Sequence, residues 1–161
     1  MEKKVDSGEE RLVSLLMKKQ LTITTVESLT GGLIAATIVN VPGSSDVLKA
    51  AFVTYCDEAK HLLAGVSKET LEKYTAVSSQ TAKEMAEGGR RAASADAAIS
   101  ATGIAGPSGG SEEQPVGLVY IAFADAKKTT VKKLLLSGSR REIREQTVCE
   151  ALALAADCLE E

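Results

Sequence analysis

The chain predicts an α/β fold, a three-layer helix-sheet-helix sandwich around a mixed sheet of four or five strands with about six helices. Three observations lead there. Short apolar runs rich in β-branched residues alternate along the chain with segments of helical period. Two of the runs, Ala97 to Ala101 and Val116 to Ala124, are apolar at successive positions, as expected of strands covered on both faces. The Val116 run and the Thr129 run are joined by only a few residues around Asp125-Ala126-Lys127-Lys128, which predicts an antiparallel pair and therefore a mixed sheet.

In chain order, Glu9 to Lys19 spaces Leu12, Leu15, Leu16 and Lys19 as one face of a packing helix with charges around it. Leu21 to Val26 alternates Leu21 and Ile23 with threonines and predicts a strand, after which Leu33 to Val39 continues as a helix. Val41 to Ser45 is a turn by composition, Leu48 to Thr54 a second strand, and Asp57 to Ala64 a short helix opening on an acidic residue. Ser67 opens another short helix, and Ser78 or Ser79 caps a longer one reaching about Ala93. Thr102 to Pro115, between the two doubly apolar strands, is too long for a tight hairpin and too rich in glycine for a helix. Thr129 to Leu136 is the last strand. Ser139 and Glu142 then have capping-box spacing before a final helix with Ile143, Thr147, Ala151, Leu154, Ala155 and Cys158 on one face.

Composition narrows the function classes. At 161 residues and 44% apolar, the chain can bury one sizeable core, so a single domain over residues 1–161 is expected, with residues 1–8 as a flexible N-terminus. A net charge of −3 argues against a broad nucleic-acid or membrane-surface footprint. Cys56, Cys149 and Cys158 are odd in number and lack C-x-x-C spacing, which reads as reduced thiols and predicts a cytoplasmic protein without a metal site. No run of about 18 apolar residues is present. The two phenylalanines and the absence of tryptophan point to a core of Ala, Val, Leu and Ile, with helices approaching closely over alanine.

The functional signal centres on Thr25-Val26-Glu27-Ser28-Leu29-Thr30-Gly31-Gly32, a strand-to-helix turn. Ser28 and Thr30 can each cap the helix that follows, and caps are far commoner than nucleophiles. Gly31 and Gly32 let another group approach the first helical turn, whose unpaired N–H groups carry partial positive charge. A hydroxyl, an anion-binding surface and a developing oxyanion could share this place.

Three stretches taken together resemble the CinA C-terminal domain family: Glu27-Ser28-x-Thr30-Gly31-Gly32; Tyr55-x-x-Glu58-Ala59-Lys60 continuing to Gly65-Val66; and Thr102-Gly103-Ile104-Ala105-Gly106-Pro107-x-Gly109-Gly110 with Pro115-Val116-Gly117. The likeness runs from about Glu9 to Leu159, and the order of the motifs is specific. In that family the domain also occurs fused behind a molybdopterin-binding-like domain. Its stand-alone members hydrolyse the carboxamide of nicotinamide mononucleotide to a carboxylate and ammonia, in pyridine-nucleotide recycling. The resemblance implies Ser28 as nucleophile, Lys60 as base, Tyr55 as helper, and Thr30, Gly31, Gly32, Thr102, Gly103, Gly106, Gly109 and Gly110 around the substrate. It also implies an arginine, Arg140 or Arg144, against the substrate. The expected partner is a small pyridine nucleotide with no cofactor, no nucleic acid and no membrane, and a homo-oligomer is expected. Leu29 departs from the family, which commonly has Cys or another small residue there.

The chemistry is consistent with the residue types. An amide is a poor electrophile, so its hydrolysis needs an activated nucleophile, a proton for the departing ammonia and donors for the oxyanion. His61 is the only histidine and follows Lys60 directly, so on a helix the two project about 100° apart, and His61 reads as a surface residue. Lysine is a base only when burial or a positive helix end lowers its pKa. Taken alone, Lys60 reads as a solvated helix residue, Tyr55 as packing and the glycine loop as a connection; the glycines could instead let amides wrap a phosphate, though the glycine spacing alone is a weak signal. Two alternatives stand beside the enzyme: a nucleotide-binding module without turnover, and an assembly module acting through alanine-rich surfaces. Intact Ser28, Tyr55 and Lys60 favour the enzyme.

Overall fold

The computed structural model describes residues 6–161. Among these residues, five strands form one sheet: β1 (Ile23–Glu27), β2 (Leu48–Val53), β3 (Ala97–Gly103), β4 (Leu118–Ala124) and β5 (Thr129–Leu135). Their order is β2-β1-β3-β4-β5. β1 lies parallel to both β2 and β3, whereas β3 with β4 and β4 with β5 are antiparallel. Six helices cover the sheet: α1 (Gly8–Lys19), α2 (Leu33–Val39), α3 (Asp57–Ala64), α4 (Lys68–Tyr74), α5 (Ser79–Ala93) and α6 (Arg140–Glu160). The α/β sandwich with a mixed sheet is therefore the fold the sequence predicts. No helix among the described residues is long and apolar enough to cross a membrane.

The two faces of the sheet are built from different sizes of side chain. Strand alternation sends Ile23, Ile99, Ile121 and Phe123 to one face, where they pack with Leu12 and Leu16 of α1, Ile34 and Ile38 of α2, and Ile143 and Leu152 of α6. The other face carries Ala98, Ala122 and Ala124 against Ala82 and Ala86 of α5, with Val26, Ala64, Val66 and Met85 in a second cluster under α3. Small residues there let α5 lie close, as the alanine content suggested. At Gly88 a Cβ would stand 1.5 Å from the Ala64 carbonyl oxygen, and at Gly89 one would stand 2.2 Å from Val26 Cγ2. The end of α3 therefore rests directly on the α5 backbone.

Element bounds shift where side chains compete with the ladder. Thr22 is tied through its amide and hydroxyl to Asp96, so β1 starts at Ile23 and runs on to Glu27. Thr102 and Gly103 belong to β3, paired with Tyr120 and Val119, so the glycine loop begins at Ile104. Val116 and Gly117 precede β4, and Gly117 donates back to the Ile104 carbonyl. The predicted flexible segment 1–8 falls mostly on residues 1–5, which lie outside the described residues. At its other end Ser7 and Glu10 form a reciprocal capping box, so Gly8 is already helical.

The topology sets the place of a site. From β1 the chain passes through α2 to β2 on one side, while β3, on the other side of β1, hands on to β4. The chain thus diverges between the carboxyl ends of β1 and β3, the usual crevice of an open α/β sheet. The Ser28 turn and the loop after Gly103 flank it.

Gly88→Ala tests the packing that seats α3. With backbone as the obstacle the helices must separate, and the expected loss is about 1–3 kcal/mol of unfolding free energy, read by urea denaturation.

Candidate functional site

β1 is buried along its whole length, and its alternation separates two chemistries at its end. Glu27 faces α2, and Ser28 faces α3. The Glu27 side chain is fully buried, with Oε1 accepting from the Ile34 amide at 2.8 Å and Oε2 from the Ala35 amide at 3.0 Å and the Thr25 hydroxyl at 3.2 Å. Glu27, seven residues upstream, therefore satisfies the first turn of α2, and its charge complements the helix end. This corrects the expectation that Ser28 or Thr30 caps α2: the N-cap is Gly32, with no side-chain bond. Gly31 at φ 58° and Gly32 at φ 99° supply the left-handed backbone that carries the chain over the carboxylate.

Both hydroxyls are thereby left for other uses. Thr30 Oγ1 is buried without a partner. Ser28 Oγ lies 3.1 Å from Lys60 Nζ, which also donates to the Thr54 carbonyl at 2.8 Å. Lys60 is 2% exposed, one of the largest fully buried side chains of the protein. Burial pushes its pKa below the ordinary lysine value, against smaller opposing effects of Asp57 and Cys56. Desolvation thus lowers the pKa, while Glu27 occupies the positive end of α2. His61 turns elsewhere, with Nδ1 2.7 Å from the Val66 carbonyl oxygen at the C-terminus of α3.

The turn itself is held from outside. The Ser28 amide donates to the Ala101 carbonyl at 2.9 Å, and Gly31 and Leu33 amides donate to the Ser28 and Thr30 carbonyls. Arg144 of α6 donates through Nε to the Leu29 carbonyl at 2.8 Å and through its guanidinium to the Thr30 carbonyl at 3.1 Å. The amides of Leu29 and Thr30 find no acceptor among the described residues. Leu29, the departure from the family pattern, directs its side chain into the core beneath α2 and α6.

The remaining candidates divide by geometry. Tyr55 is 60% exposed, and its phenol oxygen accepts from Arg140 at 2.9 Å; Arg140 also donates to the Gly106 carbonyl at 2.8 Å. Arg140 therefore straps the end of β2 to the glycine loop. Tyr55 makes no hydrogen bond to Ser28 or Lys60. Thr102 is buried and donates to the Ala76 carbonyl at 2.7 Å. At Gly103, Gly106 and Gly110 a Cβ would stand within 3 Å of Leu118, Val119 or Val116 atoms, so these glycines permit close packing of the loop on its own strand. Gly109 stands in open space. A cleft of about 420 Å³ beside the turn is lined by Leu33, Arg140, Arg141, Arg144 and Glu145. A second of about 430 Å³, lined by Lys83, Arg90, Arg91 and the Asp125–Thr129 turn, lies at the far end of the sheet and contains no candidate nucleophile.

With a serine and a buried lysine in contact at a strand end, comparison with known proteins becomes informative. The model of the CinA C-terminal domain matches residues 5–159. The chain belongs to the CinA C-terminal domain family. A CinA-like protein of Kosmotoga olearia is 52% identical over 147 residues, covering 91% of this chain and 36% of that protein. A protein of Caldanaerobacter subterraneus subsp. tengcongensis is 52% identical over 152 residues, covering 94% of this chain and 37% of that one. This CinA domain thus spans little more than a third of the curated relatives it matches. Among solved structures, the competence/damage inducible protein CihA of Agrobacterium tumefaciens superposes with a TM-score of 0.91 at 38% identity, over 100% of both chains. A CinA superfamily protein of Enterobacter cloacae gives 0.91 at 34% identity, over 99% of this chain and 96% of that one.

Two residues of the site carried no predicted role. Glu27 stood in the motif, and its use as a remote helix cap depends on a long-range fit that spacing does not reveal. Thr54 was read only as a strand end. For Lys60, burial of an amine should cost stability. Below its lowered pKa the folded state must hold a buried charge, and between that value and the unfolded one near 10.4 folding releases a proton; the penalty shrinks as pH rises through this window and vanishes above it. Lys60→Met is expected to raise unfolding free energy at pH 7 by on the order of 1 kcal/mol or more. The gain should narrow as pH approaches 10, in denaturation at a series of pH values.

Proposed function

We propose that this CinA domain is an amidohydrolase that converts nicotinamide mononucleotide to nicotinic acid mononucleotide and ammonia through a Ser28 nucleophile and a Lys60 base. The observation that carries the reading is the 3.1 Å contact between Ser28 Oγ and a buried Lys60 Nζ whose pKa is lowered. A lysine held that way is a base rather than a counter-ion. The names of the relatives refer to competence and damage and specify no reaction, so the chemistry rests on the site.

In this reading Ser28 Oγ attacks the carboxamide carbon while its proton passes to Lys60, and the carbonyl electrons move onto oxygen. The Leu29 and Thr30 amides, free of other acceptors, are the candidate donors for that oxyanion. Lys60 then returns the proton to the departing nitrogen, and water releases the acyl group from Ser28 by the same steps in reverse order. The nucleotide phosphate is assigned to the arginine-lined cleft, whose guanidiniums favour a dianion. Tyr55 is assigned an indirect part, since its hydroxyl is held by Arg140. The protein is read as cytoplasmic and as a homo-oligomer.

Purified protein should release ammonia from nicotinamide mononucleotide without added metal, and free nicotinamide should be a far poorer substrate because it lacks the phosphate. Ser28→Ala should abolish both turnover and the acyl adduct seen by mass spectrometry after rapid quench. Equal specificity constants for nucleotide and free amide would refute the assignment of the cleft.

Activity should rise with pH along a limb below the ordinary lysine value, because Lys60 must be neutral to accept the proton. Lys60→Arg should lose nearly as much kcat as Lys60→Ala, on the order of 10²-fold or more, since guanidinium keeps the charge and accepts no proton. Turnover of Lys60→Arg within a few-fold of the parent would remove Lys60 from the role of base.

A further inference from the structure

The sheet has two open edges, and the chain treats them differently. β5 carries exposed Lys132 and Lys133 in its middle, with Lys132 held by Glu150 at 2.9 Å. Lysines on an edge strand discourage pairing with another chain. β2, at the opposite end of the sheet, carries Ala50-Ala51-Phe52-Val53 and a single charge, Lys49. Among the described residues no strand lies along its outer side.

That outer side can be read residue by residue, because successive residues of a strand turn their N–H and C=O groups to opposite neighbours. The Thr54 amide donates to the Glu27 carbonyl at 2.8 Å, and the Ala50 carbonyl accepts from Thr24 Oγ1 at 2.7 Å, so Ala50, Phe52 and Thr54 face β1. Ala51 and Val53 therefore present both main-chain groups outward. Their side chains are exposed as well, Val53 at 46%. Beside them lies α2, which has no charged side chain from Leu33 to Val39 and leaves Val39 59% exposed. A Cβ at Gly32 would stand 3.6 Å from Val53 Cγ2, so the start of α2 abuts the edge.

An open edge is recognised by another extended strand, and this one is complementary to itself. With a two-fold axis at Phe52, antiparallel pairing sets Ala51 opposite the partner's Val53 and Val53 opposite the partner's Ala51, each pair exchanging two N–H···O=C bonds. Phe52 meets the partner's Phe52 on the axis at a non-hydrogen-bonded position, where side chains come closest and aromatic pairs are favoured. Lys49 falls opposite the partner's Tyr55, about 20 Å from the partner's Lys49 and beyond a Debye length of about 8 Å. The one charge of the strand thus meets no like charge. The same symmetry sets the two α2 helices on one face of the joined sheet, flanking the junction.

We infer that the outer edge of β2 is a self-association surface, at which two copies of this chain join their five-stranded sheets into one of ten strands. The inference rests on the reading of the protein as a homo-oligomer and supplies the surface for it. Pairing there also covers the strand whose end gives the Thr54 carbonyl to Lys60.

The test is sedimentation equilibrium of the whole protein over a range of concentrations, beside the double variant Ala51→Lys/Val53→Lys. Both positions are exposed, so the fold should survive, and circular dichroism checks that it has. In the paired edge each introduced ammonium faces another, and the dissociation constant of the dimer should rise about tenfold or more. A second variant, Phe52→Cys, places one thiol per copy on the axis. Mild oxidation should then link two chains through position 52, which peptide mass spectrometry separates from links through Cys56, Cys149 or Cys158. A double variant that dimerises as tightly as the parent, or a Phe52→Cys dimer that forms no link through position 52, associates by another surface; either result overturns the inference and leaves the homo-oligomer reading standing. A parent that sediments as a single chain at every concentration refutes both.

Discussion

The site depends on one carboxylate. Glu27, fully buried at the end of β1, binds the amides of Ile34 and Ala35 and so joins the strand end to the start of α2. A buried carboxylate is tolerated only when its oxygens are satisfied, and here two helix amides and the Thr25 hydroxyl do so. The consequence reaches the neighbouring residue. Since β-strand alternation turns Ser28 to the opposite face, the cap on one side fixes the position of the hydroxyl on the other. Had Ser28 capped α2, its hydroxyl would have been committed to the helix and withdrawn from Lys60.

The second constraint is the approach of α3 to α5. Lys60 can stay buried because the end of α3 lies on a glycine backbone, and because the Thr54 carbonyl and Ser28 hydroxyl meet its amine. Burial lowers its pKa, and the same burial is a standing cost to the fold. Stability and the availability of a neutral amine are thus opposed at this position.

Much of this was legible in the sequence. The doubly apolar β3 and β4 runs and the short Asp125–Lys128 connection gave the mixed sheet, because burial on both faces leaves a direct mark on residue type. The pairing of Ser28 with Lys60, 32 residues apart, came from motif resemblance; periodicity places Ser28 after a strand and Lys60 within a short helix and cannot say that the two meet. What stayed hidden were interactions that reach across elements. Glu27 caps a helix from outside the usual capping positions, Arg140 and Arg144 reach back from α6 to the loop and the turn, and Gly103, Gly106 and Gly110 serve packing that a glycine pattern does not distinguish from ligand binding. Strand ends were misplaced where Thr22 binds Asp96 and where Thr102 and Gly103 extend β3, since a side-chain bond or a ladder partner decides the boundary.

The layout separates precision from adaptability. Groups that would take part in bond making sit at the ends of β1 and β2 and on α3, where ladder bonds hold neighbouring strands about 4.8 Å apart and core packing fixes the helix. Groups that line the cleft sit on α2 and α6, near a fourteen-residue excursion, residues 104–117, whose outer portion is exposed. Arg140 ties the two together by holding both Tyr55 and the Gly106 carbonyl. A substituent that displaced either contact would release the loop without disturbing the Ser28–Lys60 pair, since that pair shares no hydrogen bond with Arg140. Under the proposed amidohydrolase reading, substrate range would vary through the α6 arginines and the loop while the reaction stayed with the sheet.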